Sequence, residues 1–99
     1  MQVELTSTGY LHMTAEIAER FPTGTAIVLL RGDELWLMPV SHPGAGGVLL
    51  KYRNPRGDRS VLIQEFLPED EPPGVRNAIW DEEYGALRIP LLRSNTPVK

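Results

Sequence analysis

Thr25 to Val40, TAIVLLRGDELWLMPV, is the stretch whose reading decides the fold. Ala26 to Leu30 is an apolar run, Arg31 carries the first charge, Gly32-Asp33 interrupts, and Glu34 to Val40 turns apolar again. Two short apolar runs joined by a Gly-Asp loop are a strong local signal for a β-hairpin. Glycine first in the loop fits a type II′ turn, where that position needs positive φ. The turn sets the register, with Arg31 opposite Glu34, Leu30 opposite Leu35 and Leu29 opposite Trp36. Arg31 and Glu34 then form an opposite-charge cross-strand pair. The near-continuous apolar run predicts a strand covered on both faces, by a helix on one side and the sheet core on the other. Pro39 limits the second strand, because proline cannot donate to a central ladder.

Upstream, Val3 and Leu5 alternate with Gln2 and Glu4 as in a short strand, and Thr6 to Gly9 breaks the pattern. Thr14 to Phe21 is the one predicted helix. Thr14 caps it, Glu16 in the first turn and Arg20 in the last suit its dipole, and Pro22 with Gly24 ends it. Ile17 and Phe21 share one face. A helix of two turns is not stable alone in water, so it must dock on the sheet.

Downstream, Ser41 to Gly47, SHPGAGG, reads as a flexible connection. Val48 to Arg53 and Ser60 to Leu67 read as strands joined through Asn54-Pro55-Arg56-Gly57, with Pro55 in the first central position of a type I turn. The Arg-Gly-Asp triplet at Arg56–Asp58 therefore occupies a different place in a different turn from Arg31–Asp33. Centring the second turn on Gly57-Asp58 would set Arg56 against Arg59, a like-charge pair. Both triplets have turn-forming reasons to exist, so neither an adhesion motif nor an internal repeat is read from them. Pro68 to Gly74, PEDEPPG, is an acidic loop without regular structure. Asn77–Trp80 and Ala86–Leu92 are strands flanking the Asp81–Gly85 turn, and Pro90 makes the last an edge or a strand terminus.

Together these elements predict a mainly β (α+β) fold. It is an antiparallel meander of five or six strands, a small barrel or curled sheet, with one short N-terminal helix. A single domain covers 1–92, and 93–99 is a polar tail. Pro39 and Pro90 read as edge protection, which favours a monomer or a small oligomer not built by sheet extension.

Composition narrows the function classes. A chain of 99 residues with net charge -3 argues against nucleic acid or an anionic membrane as the main partner, since both need a positive surface. With no cysteine there is no disulfide framework, thiolate nucleophile or Cys-based zinc site, and a cytoplasmic location is the default. Neither the N-terminus nor any apolar run reads as a secretory signal or a membrane span. His12 and His42, the two histidines, have no recognised ligand spacing, so no metal or cofactor is expected. The glycine-rich loop leads into a strand rather than a helix, unlike a phosphate-binding loop. No nucleophile–base–orienter set can be named, and Ser41 beside His42 on extended chain faces away from it.

Charge is segregated along the chain. Lys51, Arg53, Arg56 and Arg59 accompany a single acid, Asp58. Glu65, Glu69, Asp70, Glu71, Asp81, Glu82 and Glu83 accompany a single base, Arg76. This pattern implies either a solvated rim or a bipolar surface that steers a protein partner. Trp80 and Tyr84 flank the acidic turn, where an aromatic can anchor a partner. The expected function is a small non-catalytic accessory protein acting by protein–protein contact, such as an assembly factor or a small subunit of a larger enzyme. Its candidate contact residues are Lys51, Tyr52, Arg53, Arg56, Arg59, Trp80 and Tyr84. One alternative is a nucleic-acid-binding barrel using the basic hairpin 51–59. Another is a ligand-binding or catalytic barrel using His42.

Overall fold

A computed structural model describes residues 1–42, 44 and 46–92. Among these, nine strands form one antiparallel sheet: β1 (Gln2–Leu5), β2 (Tyr10–Met13), β3 (Thr25–Arg31), β4 (Glu34–Pro39), β5 (Val48–Tyr52), β6 (Arg59–Leu62), β7 (Gly74–Asn77), β8 (Ile79–Asp81) and β9 (Ala86–Pro90). Their spatial order is β7-β1-β2-β6-β5-β3-β4-β9-β8. The two ends of that order, β7 and β8, are consecutive in the chain and meet at Ala78. This residue is buried, and its N–H donates to the Met1 carbonyl at 2.7 Å. The chain thus leaves β1 and joins β9 within one residue, which bends the sheet into a nearly closed barrel.

The hairpin lies where its sequence puts it. Arg31 pairs with Glu34, Leu30 with Leu35 and Leu29 with Trp36. Gly32 adopts φ +62 and Asp33 keeps an ordinary negative φ, as a type II′ turn requires. The Asn54–Gly57 turn also forms around Pro55 and is closed by Gly57 N–H donating to the Asn54 carbonyl at 3.2 Å.

Several expectations are corrected. The sheet has nine strands rather than five or six, because short strands around Gly9 and Ala78 carry too few residues to reveal a period of two. The strand predicted over Ser60–Leu67 ends at Leu62, and a 3-10 turn, Gln64–Phe66, follows. Gly74, predicted to lie in a loop, opens β7.

The helix predicted over Thr14–Phe21 is reduced to a single α-turn, α1 (Ala15–Ala18), capped by Thr14. Beyond it Arg20 and Phe21 donate to Ile17 and Ala18, three residues back rather than four. The chain tightens into 3-10 geometry ahead of Pro22, which disfavours α conformation in the residue before it. Arg20 therefore lies outside any last helical turn. Ile17 and Phe21 still bury their side chains in the core.

Pro39 and Pro90 are not on edge strands. Pro39 ends β4, which lies between β3 and β9, and Pro90 ends β9 beyond the reach of β8. Leu11, Leu35, Leu37, Leu50, Val61, Ile63, Leu87 and Ile89 fill the interior with apolar side chains. Each such burial stabilises the fold by roughly 2 kcal/mol before entropy is counted.

The expectation that β3 is covered on both faces fails. Ala26 and Val28 face the core, whereas Ile27 and Leu29 are 36% and 43% exposed on the outer face. The α-turn is tied to the β5–β6 loop through the Ala15 N–H and Asp58, and it leaves both exposed. The predicted tail 93–99 lies outside the described residues, as do Pro43 and Ala45 of the SHPGAGG loop.

Candidate functional site

The outer face of the sheet is built by alternation. On β5, Leu50 enters the core, so Leu49 and Lys51 project outward, and Leu49 is 56% exposed. Leu49 pairs with Thr25, and the outward positions of β3 continue with Ile27, Leu29 and Arg31. Across the hairpin these oppose Met38, Trp36 and Glu34. On β9, Arg88 lies beside Trp36, and on β8 exposed Ile79 lies beside Arg88. The result is an apolar stripe crossing β5, β3 and β4, with Trp36 at its far side.

Trp36 is only 6% exposed although it stands outside the core. Arg31 lies over its ring at 4.4 Å and Arg88 at 5.2 Å, and the Tyr84 ring leans on it at 5.4 Å between centroids. Its indole N–H donates to Glu34 Oε1 at 3.1 Å. Arg88 in turn donates to both Glu34 oxygens and to Asp81 Oδ2. The hydrogen bonds that Arg88 donates to Glu34, and then to Asp81, hold its pKa above the ordinary value. Asp81 is held below the usual carboxylate range, first by the Tyr84 backbone N–H and then by Arg88. An ordered aromatic and ionic cluster thus borders the stripe on the β8–β9 side.

The predicted contact residues do not form one site. Tyr52 and Arg59 meet at the barrel mouth, where the guanidinium sits 3.8 Å from the ring centroid and donates to the phenol oxygen at 2.7 Å. They border a groove of about 530 Å³ that also touches Leu49, Lys51 and Pro22. Arg56 is exposed and pairs with Asp58 at 3.1 Å. Arg53 turns to the other side of the loop, into a cleft of about 240 Å³ lined by Gln2, Glu4, His12, Thr14 and Asp58. There desolvation and then the nearby Arg53 charge lower the His12 pKa, against an opposing pull from Glu4. Trp80 packs inward, edge-on to Phe21 at 6.2 Å, with the Arg20 guanidinium 4.9 Å from its ring centroid. Tyr84 alone of the two turn aromatics joins the outer face. His42 is exposed, and among the described residues no group of three or more His, Asp or Glu is placed to hold a metal ion.

No family model, curated protein or solved structure matches this chain.

The acidic segment is not all rim. The Glu71 side chain is 1% exposed and pairs at 2.7 Å with Arg76, itself 5% exposed. Glu71 also accepts the Leu92 N–H at 2.8 Å, so this acid ties the PEDEPPG loop to both β7 and the end of the last strand. Among the described residues no helix is long and apolar enough to cross a membrane.

Sequence reasoning passed over Ile27, Leu29, Leu49 and Met38. The signal was present in the register. Ile27 and Leu29 share their face with Thr25 and Arg31, and polar residues at both ends of that series mark the solvent side.

Proposed function

We infer that this chain is a small binding protein that acts by protein–protein contact, as an accessory subunit or assembly factor. Its contact surface is the outer face of β3 and β4. One observation carries the reading: Leu49, Ile27, Leu29 and Met38 form a continuous apolar stripe across three strands, and charged residues border it. Scattered surface leucines are ordinary, but a contiguous apolar patch rimmed by polar groups is the signature of an interaction site. Apolar centre and charged border also match the anatomy of protein interfaces. The basic hairpin supplies the border at Lys51 rather than the centre. Arg59 already occupies one face of Tyr52 and Arg56 is paired with Asp58, which favours a protein partner over stacked nucleic-acid bases.

Capture from the native cell on immobilised protein tests this. Bound proteins are compared between the wild type, Leu29→Asp on the stripe, and Val75→Asp at an exposed site on β7. Loss of the captured protein with Leu29→Asp and retention with Val75→Asp is expected. Equal recovery with all three baits would overturn the reading.

A further inference from the structure

We propose that the cleft holding Glu4, His12 and Arg53 binds a small zwitterion with a free ammonium and a free carboxylate, as an amino acid or a short peptide carries. The site lies across β1, β2 and β6, apart from the contact surface on β3 and β4, and goes beyond that reading.

Pairing register places the three groups. Glu4 lies opposite His12, and His12 opposite Ser60, so outward positions of β1, β2 and β6 stand in one row. Two residues along, the same face carries Thr14 and Asp58. The row then reaches Arg53, whose backbone N–H donates to the Asp58 carbonyl at 2.8 Å. Glu4 and Arg53 thus stand three strand spacings apart, roughly 14 Å between backbones, with His12 between them. Both side chains reach into the cleft of about 240 Å³. One wall is fixed, because Asp58 fastens the β5–β6 loop to the Ala15 N–H.

Charge names the ligand. Among the described residues neither the Glu4 carboxylate nor the Arg53 guanidinium makes a hydrogen bond or an ion pair. Asp58, the other acid of the cleft, already accepts from Ala15, Asn54 and Arg56. The cleft therefore offers one open anion and one open cation at opposite ends. Desolvation and then the Arg53 charge lower the His12 pKa, against the pull of Glu4, so the ring between them is neutral at pH 7. A neutral imidazole accepts from an ammonium or donates to a carboxylate. A simple anion would leave Glu4 unanswered, and a simple cation would leave Arg53 so. A ligand with both charges pairs with each, its carboxylate held by the guanidinium fork. The volume lies below the roughly 300–1,000 Å³ of drug-sized sites, which suits an amino acid or a dipeptide.

The His12 ring protons report binding in pH-matched magnetic resonance titrations. L-Alanine and L-alanyl-L-alanine are the zwitterions, and the tighter of the two identifies the source of the ligand. Propanoate and ethylamine each keep one of alanine's charges. At least one zwitterion should half-saturate the His12 shift below about 10 mM, with propanoate and ethylamine each about tenfold weaker. Arg53→Gln and Glu4→Gln should each weaken that zwitterion about tenfold. Their effects on the single charges should be opposite: Glu4→Gln strengthens propanoate, and Arg53→Gln strengthens ethylamine. Both positions are solvent-facing, and unchanged thermal melts confirm that each variant folds. Half-saturation above about 10 mM for both zwitterions would overturn the proposal. So would propanoate or ethylamine binding as tightly as the better zwitterion, or variants that weaken all four probes alike.

Discussion

Asp58 Oδ1 accepts a hydrogen bond of 2.8 Å from the Ala15 backbone N–H, 43 residues away. The acid of the second Arg-Gly-Asp triplet therefore fastens the β5–β6 loop to the first turn of α1. Its other oxygen accepts from Asn54 at 2.9 Å and from Arg56. Asp33, the acid of the first triplet, lies in an exposed hairpin loop, where its main-chain carbonyl accepts from Leu91. Asp58→Ala should lower the thermal midpoint and loosen α1, seen as faster amide exchange at Ala15 and Ile17. Asp33→Ala, which keeps the carbonyl, should change both little.

The same bonds give a pH dependence of known sign. Hydrogen bonds from Asn54, Ala15 and Arg56 lower the Asp58 pKa, and those from Tyr84 and Arg88 lower that of Asp81. A carboxylate with a depressed folded pKa contributes stability above its unfolded value near 3.9, and loses it as pH falls through the lower folded value. Urea midpoints measured downward from pH 5 should fall through that window. In Asp58→Asn the decline should be shallower.

His12 runs on a different scale. Burial and the Arg53 charge lower its pKa, so its ring should titrate below 6.5 in the folded chain. The unfolded state then binds the proton first, and the neutral ring's contribution is lost as pH falls from 6.5 through the folded value. Nuclear magnetic resonance of the ring protons checks this. Arg53→Gln should raise the midpoint without restoring it fully, because desolvation is the larger cause, and Glu4→Gln should lower it further.

Glu71 and Arg76 form the buried ion pair of the acidic segment. Removing one partner leaves an uncompensated buried charge, so Arg76→Met alone should cost about 3–5 kcal/mol in urea unfolding. Glu71→Leu combined with Arg76→Met should recover part of that loss, since an apolar pair removes the desolvation penalty while the Leu92 N–H and the Pro72 carbonyl lose their partners.

Two glycines separate conformational from steric cost. Gly32 has φ +62 and open space where a Cβ would stand, so Gly32→Ala should cost about 1 kcal/mol. At Gly9, φ is +87 and an added Cβ would lie 2.4 Å from the Gln64 Cβ and 3.1 Å from its Cα. Gly9→Ala should cost a further ~1–3 kcal/mol through overpacking. Chemical denaturation of the two variants compares them directly.

The hairpin was legible because its determinants are local: a glycine at the turn, a charge pair beside it and apolar residues on either side. The Asn54–Gly57 turn was legible for the same reason. β1, β2, β7 and β8 have only three or four residues each, too few to establish a period, and their pairing depends on residues 77 positions apart such as Met1 and Ala78. The helix was overextended because capping and spacing describe where α1 begins, whereas Pro22 reaches back and tightens its end. The outer face of β3 was passed over because a run of apolar residues was taken as burial on both faces, whereas Ile27 and Leu29 are exposed. What separates Leu29 from Val28 is that, among the described residues, no element covers the outer face of the hairpin, a tertiary fact that no local pattern encodes. Charge segregation was legible, but Glu71 and Arg76, counted as surface charges, are paired with one another inside the fold.

The contact-surface reading reduces to whether the outer face of β3 and β4 is covered when the protein is assembled. Methyl resonances of Ile27, Leu29 and Leu49, recorded with a soluble paramagnetic probe across a protein concentration series, measure that directly. Leu62 and Val75, exposed on other strands, serve as references. Leu29 and Ile27 should become shielded as concentration rises or a captured partner is added, while Leu62 and Val75 remain fully relaxed by the probe. Equal relaxation of Leu29 and Leu62 under both conditions would contradict the assignment of this face as the interface.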